Sequence, residues 1–305
     1  HFKTEIYGTA PVVDGVLDGD LVLAGGGDPN LLTDDLLALA GRLKESGLRE
    51  VKGDFLVWGG ALPALEEIDE SQLDHLGYNP AISGLNLNFN RVHFEWKRAN
   101  GDYTVTMDAR SETIRPTVTI ARMDIVDRNL PIYTYRDGGD IDRWTVARRA
   151  LGNSGSRWLP VRNPELYAGD VFRTFARSEG ITLNAAKRVA DRPEGIAIVT
   201  HQSPALRDVM QSMLRFSTNI TAEAAGMVAT ASRTGTKRGL RTKLTKAWPS
   251  SALWKPSSAC AEIWDPEVVK TGTDLGSFWW FLAPFLLSES DGSWEILGPR
   301  VRPGL

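Results

Sequence analysis

Gly19-Asp20-Leu21-Val22-Leu23-Ala24-Gly25-Gly26-Gly27-Asp28-Pro29 reads as a buried strand stopped by its own glycines. Leu21 to Ala24 form a short apolar run without polar alternation, which suits a strand covered on both faces. The glycine run and Pro29 then break the extended chain. A helix is expected next, over Asp34 to Ser46, with Thr33 as N-cap and Gly47 as the C′ residue. Leu36, Leu37, Ala40 and Leu43 fall on one face of it. Gly53-Asp54 leads into a second strand, Phe55 to Trp58. This strand, helix and strand unit sets the class as mixed α and β, α/β or more broadly α+β.

The character changes from residue 76. Leu85, Leu87 and Phe89 alternate with Asn86, Asn88 and Asn90, the period of a half-buried strand. Val92 to Trp96, Tyr103 to Met107 and Thr117 to Arg122 continue the β signal, with a turn at Gly101-Asp102. A small antiparallel β-rich module is expected there. Helical signals return at Ala168 to Glu179, ended by Gly180, and a strand is expected at Ile196 to Val199. Ser203-Pro204 reads as N-cap and first turn of a helix with Leu206, Val209, Met210, Met213 and Leu214 on its apolar face. A second helix, Ala222 to Ala231, follows, so Ser217, Thr218 and Asn219 lie at the joint between two helices. Six of the ten tryptophans crowd the end of the chain, from Trp248 to Trp294, where amphipathic periodicity is poor.

The totals exclude several classes. The 305 residues suffice for two or three domains, and a net charge of −3 gives no basic footprint for a nucleic acid. The longest apolar run, Phe278 to Leu287, is too short to span a bilayer, so no integral membrane protein is expected. The single cysteine, Cys260, allows no internal disulfide. The four histidines are scattered without metal-ligand spacing, and a lone one such as His201 reads as structural. The Gly25 to Gly27 run has neither Walker nor Rossmann spacing, so no phosphate-bearing cofactor is expected.

Two motifs carry chemistry: Ser217-Thr218-Asn219 and Lys270-Thr271-Gly272-Thr273. They match the second and third signatures of serine enzymes that act on D-alanyl peptides and β-lactams. A hydroxyl between two amines can relay a proton, and an asparagine amide can hold a substrate carbonyl. A lysine and threonine on an edge strand can receive a terminal carboxylate, and a backbone N–H there can hold the oxyanion. Taken alone, the first motif also reads as a helix cap and the second as a turn entering a strand at Ser277 to Leu282.

Further stretches resemble one family. They are the Gly19 to Pro29 segment; Tyr78-Asn79-Pro80-Ala81-Ile82-Ser83 with Leu87-Asn88-Phe89-Asn90; Asn163-Pro164-Glu165-Leu166-Tyr167-Ala168-Gly169; and Ser203-Pro204-Ala205-Leu206 running into Arg215-Phe216-Ser217-Thr218-Asn219 and Thr221-Ala222-Glu223. In this order they resemble the class C low-molecular-mass penicillin-binding proteins, the D-alanyl-D-alanine carboxypeptidase/endopeptidase family, over about residues 1–234.

The resemblance implies a β-lactamase/transpeptidase-like catalytic domain made from residues 1–15 and 191–305. It implies a first insert from 16–75 and 156–190, and a β-rich insert from 76–155. It implies Ser217 as proton relay, Asn219 as the substrate-carbonyl contact, Lys270 as a catalytic lysine, and Thr271, Gly272 and Thr273 on the carboxylate and oxyanion side. Peptidoglycan stem peptides would be the substrate, β-lactams the covalent inhibitors, and no cofactor or metal would be needed. The location would be periplasmic, with a signal peptide upstream.

The sequence departs from the family in three ways. None of the 305 residues begins a Ser-x-x-Lys, the nucleophile motif. The spacing from Ser217 to Lys270 is shorter than the family's. The likeness fades after about residue 232, leaving Lys270-Thr271-Gly272 as either the third motif or a coincidence. A chain truncated before its nucleophile is expected to be inactive; the alternative is a non-catalytic envelope protein that binds peptidoglycan or a partner.

Overall fold

In the computed structural model the residues described are 1–234, together with 287–290 and 293–296. In chain order the elements are β1 (Lys3–Gly8), β2 (Val12–Val13), β3 (Val16–Leu17), β4 (Leu21–Gly25), α1 (Thr33–Glu45), β5 (Glu50–Val51) and β6 (Phe55–Trp58). The next are β7 (Arg91–Ala99), β8 (Asp102–Asp108), β9 (Ala121–Val126), β10 (Tyr133–Asp137), β11 (Asp142–Ala147), β12 (Ser154–Pro160) and α2 (Pro164–Ser178). The last of the first unit are β13 (Lys187–Arg188), β14 (Ile196–Gln202), α3 (Leu206–Phe216) and α4 (Asn219–Thr234). In a separate unit, β15 (Leu287–Ser290) and β16 (Ser293–Ile296) form an antiparallel pair.

A five-stranded mixed sheet, ordered β13-β6-β4-β1-β14, organises the first unit. β1 is antiparallel to both neighbours, while β4, β6 and β13 run parallel. The unbroken apolar run of β4 follows from burial on both faces. Leu21 and Leu23 face a large core shared with α1 and α2, whereas Val22 and Ala24 join Tyr7, Leu56 and Trp58 on the other face. In α1, Leu36, Leu39, Ala40 and Leu43 supply the buried stripe, and Gly47 at φ +90° ends the helix.

Thr33 is not the cap of α1. The N-cap is Leu32, whose N–H donates to Asp35 Oδ2 at 2.8 Å, and Thr33 starts the helix with its hydroxyl donating to the Ala109 carbonyl at 2.7 Å. α2 begins four residues before the expected Ala168, with Pro164 in its first turn.

The β-rich region has two sheets, β12-β7-β8 and β10-β11-β9. The first is antiparallel throughout, but β11 and β9 are parallel, so the region is mixed. The third expected strand starts at Ala121; Thr117 makes only an isolated bridge to Asp108. Trp144 is fully buried in this region, tilted against Tyr135 with centroids 5.0 Å apart.

Residues 85–90 are not a strand. Asn88 to Asn90 form a 3₁₀ turn in which Asn88, Phe89 and Asn90 have φ of +49°, +57° and +50°. Asparagine tolerates the left-handed region because its short amide bonds locally. Asn90 Oδ1 accepts the Leu87 N–H at 2.9 Å, and its Nδ2 donates to the Ala81 carbonyl at 2.8 Å and Asn86 Oδ1 at 2.7 Å. The three asparagines are buried for this polar work.

Candidate active site

The candidate site lies at the joint between α3 and α4. Ser203, expected to cap α3, instead accepts the Phe2 N–H on its Oγ at 2.9 Å, and α3 starts at Leu206 behind Ala205. Only Val209 of the expected apolar face is buried; Leu206, Leu214 and Phe216 are 46–53% exposed. α3 ends where Ser217 turns left-handed, at φ +52°. That turn separates the two helices by two residues and leaves Ser217 exposed; its side chain makes no hydrogen bond among the described residues.

Asn219 opens α4, and its Nδ2 donates to the Tyr78 carbonyl at 3.2 Å. Along the same helix, Ile220, Ala224 and Met227 bury against Leu62 and Ile82. Thr221 Oγ1 donates to Asn30 Oδ1 at 3.4 Å, and the Asn30 N–H in turn donates to Asp28 Oδ1 at 2.9 Å. The start of α4 is thus fixed by two loops, 28–30 and 62–82. Asp28 is 2% exposed, and burial pushes its carboxyl up. His201 on β14 lies 3.9 Å from both Asp28 and Asp35, which gives this histidine its place between loop and α1.

Ser217 and Asn219 are therefore brought together, two residues apart on one turn. Lys270, Thr271, Gly272 and Thr273, with the strand expected at Ser277 to Leu282, lie outside the described residues. A cavity of about 550 Å³ opens elsewhere, lined by Phe2, Lys3, Glu5, Trp58, Arg192 and Val228, and includes neither Ser217 nor Asn219. No cluster of three or more metal-ligating side chains occurs among the described residues.

The sequence profile of the D-Ala-D-Ala carboxypeptidase 3 (S13) family matches residues 1–242. The chain belongs to that family. The match spans every strand and helix of the main sheet and the α3–α4 joint. Among relatives, D-alanyl-D-alanine carboxypeptidase DacB of Haemophilus influenzae is 22% identical over 243 residues, covering 73% of this chain and 48% of that protein.

Among solved structures, penicillin binding protein 4 (dacB) from Haemophilus influenzae superposes with a TM-score of 0.60 at 20% identity, over 77% of this chain and 53% of that one. The same protein complexed with a novel β-lactam gives 0.55 at 18%, over 77% and 52%. The fold of this S13 chain is accordingly transpeptidase-like, with mixed helices and several sheets. The chain spans about half the length of the relatives it matches. No helix among its described residues is long and apolar enough to cross a membrane.

Sequence reasoning missed Tyr78, whose carbonyl holds Asn219, and Arg162, whose guanidinium grips the loop carrying Tyr78. A signal was present: Glu66, Glu67, Asp69, Glu70 and Asp74 crowd one stretch that holds no lysine or arginine of its own.

Proposed function

We propose that this S13 chain is the second-motif portion of a serine-type D-alanyl-D-alanine carboxypeptidase/endopeptidase that acts on peptidoglycan stem peptides in the periplasm. The observation that carries this reading is the α3–α4 joint. It exposes the Ser217 hydroxyl on a left-handed turn and anchors Asn219 beside it, in a chain whose first 242 residues match the family. A serine from a Ser-x-x-Lys outside these 305 residues would attack the carbonyl between the two D-alanines. The bond to the leaving amine breaks, an acyl-enzyme forms, and water hydrolyses it. Ser217 relays the proton to the leaving amine. Asn219 holds the peptide carbonyl next to the scissile bond. Lys270, Thr271, Gly272 and Thr273 serve the terminal carboxylate and the oxyanion.

In this reading residues 1–15 and 191–305 belong to the catalytic domain, 16–75 and 156–190 to a first insert, and 76–155 to a β-rich insert. The main sheet joins β1 and β14 of the first group to β4, β6 and β13 of the second, so the groups share one core. Without the nucleophile, the 305 residues alone form no acyl-enzyme.

The test is the intact mass of the longest natural product of the gene, before and after incubation with penicillin. A gain of one β-lactam supports the enzyme. Ser217→Ala and Asn219→Ala should slow that gain by about 10²- to 10⁴-fold, as loss of a proton-relay or polar stabilising group does. Unchanged acylation in both removes them from the site. The second reading is a non-catalytic envelope protein that binds peptidoglycan or a partner, and it holds if the gene itself encodes no Ser-x-x-Lys. A folded natural product without mass gain supports that reading instead.

A further inference from the structure

Asn219 projects from the first turn of a helix whose preceding residues, 214–217, are all exposed. Among the described residues its amide makes one hydrogen bond, to the carbonyl of Tyr78. Tyr78 sits in a long connection between β6 and β7 that has no regular ladder; among the described residues it makes isolated bridges from Leu65 to Ile82 and from Leu85 to Asp28. A turn holds the peptide of the Tyr78 carbonyl locally, its Asn79 N–H donating to the Leu76 carbonyl at 2.9 Å, but that turn needs an anchor to the rest of the fold.

Arg162 is that anchor. Its side chain is only 10% exposed. Nη1 donates to the Glu66 carbonyl at 2.8 Å and to the Asn79 carbonyl at 2.9 Å. Nη2 donates to the Asp74 carbonyl at 3.1 Å and to Glu67 Oε2 at 3.4 Å. One planar fork therefore gathers both ends and the middle of residues 66–79. It takes the carbonyl that follows Tyr78's along the chain, one peptide beyond the one that Asn219 reads. Asn79 ties the loop internally: its Oδ1 accepts the Asp69 N–H at 2.7 Å, and its Nδ2 donates to the Asp69 carbonyl at 2.9 Å and Glu67 Oε2 at 3.1 Å.

Arg162 is itself rooted. Its N–H donates to Asp142 Oδ2 at 2.9 Å, and Asn163 Nδ2 donates to Asp142 Oδ1 at 2.9 Å. Asp142 is fully buried on β11, and Arg162 stands between β12 and α2.

We propose that Arg162 is a positioning residue: through the 66–79 loop and the Tyr78 carbonyl it sets the orientation of the Asn219 amide. The inference rests on the role given to Asn219 above, but its geometry does not need an acyl-enzyme. Lysine cannot replace the arginine in full, because an ammonium lacks the planar fork that reaches two carbonyls from Nη1 and a carbonyl and a carboxylate from Nη2.

The experiment reads the Asn219 side-chain amide resonances in the folded 305-residue chain, with cleavage of residues 66–79 by a protease as a second measure. Arg162→Gln should move the Asn219 NH₂ signals and raise loop cleavage by roughly 10- to 100-fold, as expected on loss of charge-assisted bonds to a ladder-free loop. Arg162→Lys should fall between the two, and it supplies the reading if the glutamine variant does not fold. Arg173→Gln, which breaks an ion pair to Asp170 elsewhere on α2, should leave the Asn219 signals in place. Asn219 signals unmoved by both Arg162 variants, or moved equally by Arg173→Gln, overturn the proposal. A diacetylated Lys-D-Ala-D-Ala peptide is then titrated into the unmodified chain. Absence of binding counts against the proposed function and leaves the positioning result intact, because that result is read without ligand.

Discussion

His75 is the sharpest pH probe in the structure. Its ring stacks on Tyr133 with centroids 5.0 Å apart and 28° between planes, and Arg157 lies over the same tyrosine at 5.1 Å. Burial first, and then the charge of Arg157, lower its pKa from 6.5 to about 4. A histidine whose pKa is lower in the folded chain than in the unfolded one stabilises the fold when neutral. That stability is complete above pH 6.5 and is lost as pH falls toward 4. At about 1.4 kcal/mol per pKa unit the whole interval is worth about 3 kcal/mol. Solvent reaches the half-buried ring and screens part of this, leaving about 1–2 kcal/mol, most of it lost by pH 5. His75→Phe keeps a stacked ring and removes the titration. Urea unfolding of both proteins at pH 7.5 and 5 measures the difference. The unsubstituted chain should lose about 1 kcal/mol more than the variant on acidification. Parallel losses would refute the burial argument.

Two further substitutions test the backbone. Asn90→Ala removes three buried side-chain bonds at a residue with φ +50°, and should cost about 3 kcal/mol in urea unfolding; Asn90→Gly, which relieves the φ, should recover about 1 kcal/mol of that. Gly25→Ala places a methyl group against the backbone of Gly84 and Leu85, and should cost about 1–3 kcal/mol by prying the end of β4 from that segment.

The parts of this fold that were legible in the sequence are those decided by neighbours in the chain. Leu21 to Ala24 read as a doubly buried strand because all four are apolar, and they are buried on both faces. The joint at Ser217 was legible because an apolar period ended before it and an alanine-rich one began after it. Residues 85–90 misled because alternating leucine and asparagine mimic a strand, while Asn88 and Asn90 take left-handed backbone and all three asparagines make buried amide bonds. Ser203 misled because its hydroxyl is taken by Phe2, 201 residues away. The support of Asn219 was illegible for the same reason. Tyr78 is 141 residues from it, and Arg162 is 83 residues from the Asn79 carbonyl it grips.

The order of the main sheet also constrains how the chain comes together. β1 pairs with β4, less than twenty residues downstream, but its other edge waits for β14 near residue 200. During synthesis that edge stays open while nearly two hundred residues are made, including the whole β-rich region. An open edge carrying Lys3 and Glu5 is poorly suited to pairing with another chain, so these charges can protect the nascent protein before they matter to the finished one. Loop entropy and the large sequence separation together lead one to expect β14, and the α3–α4 joint behind it, to dock after β4.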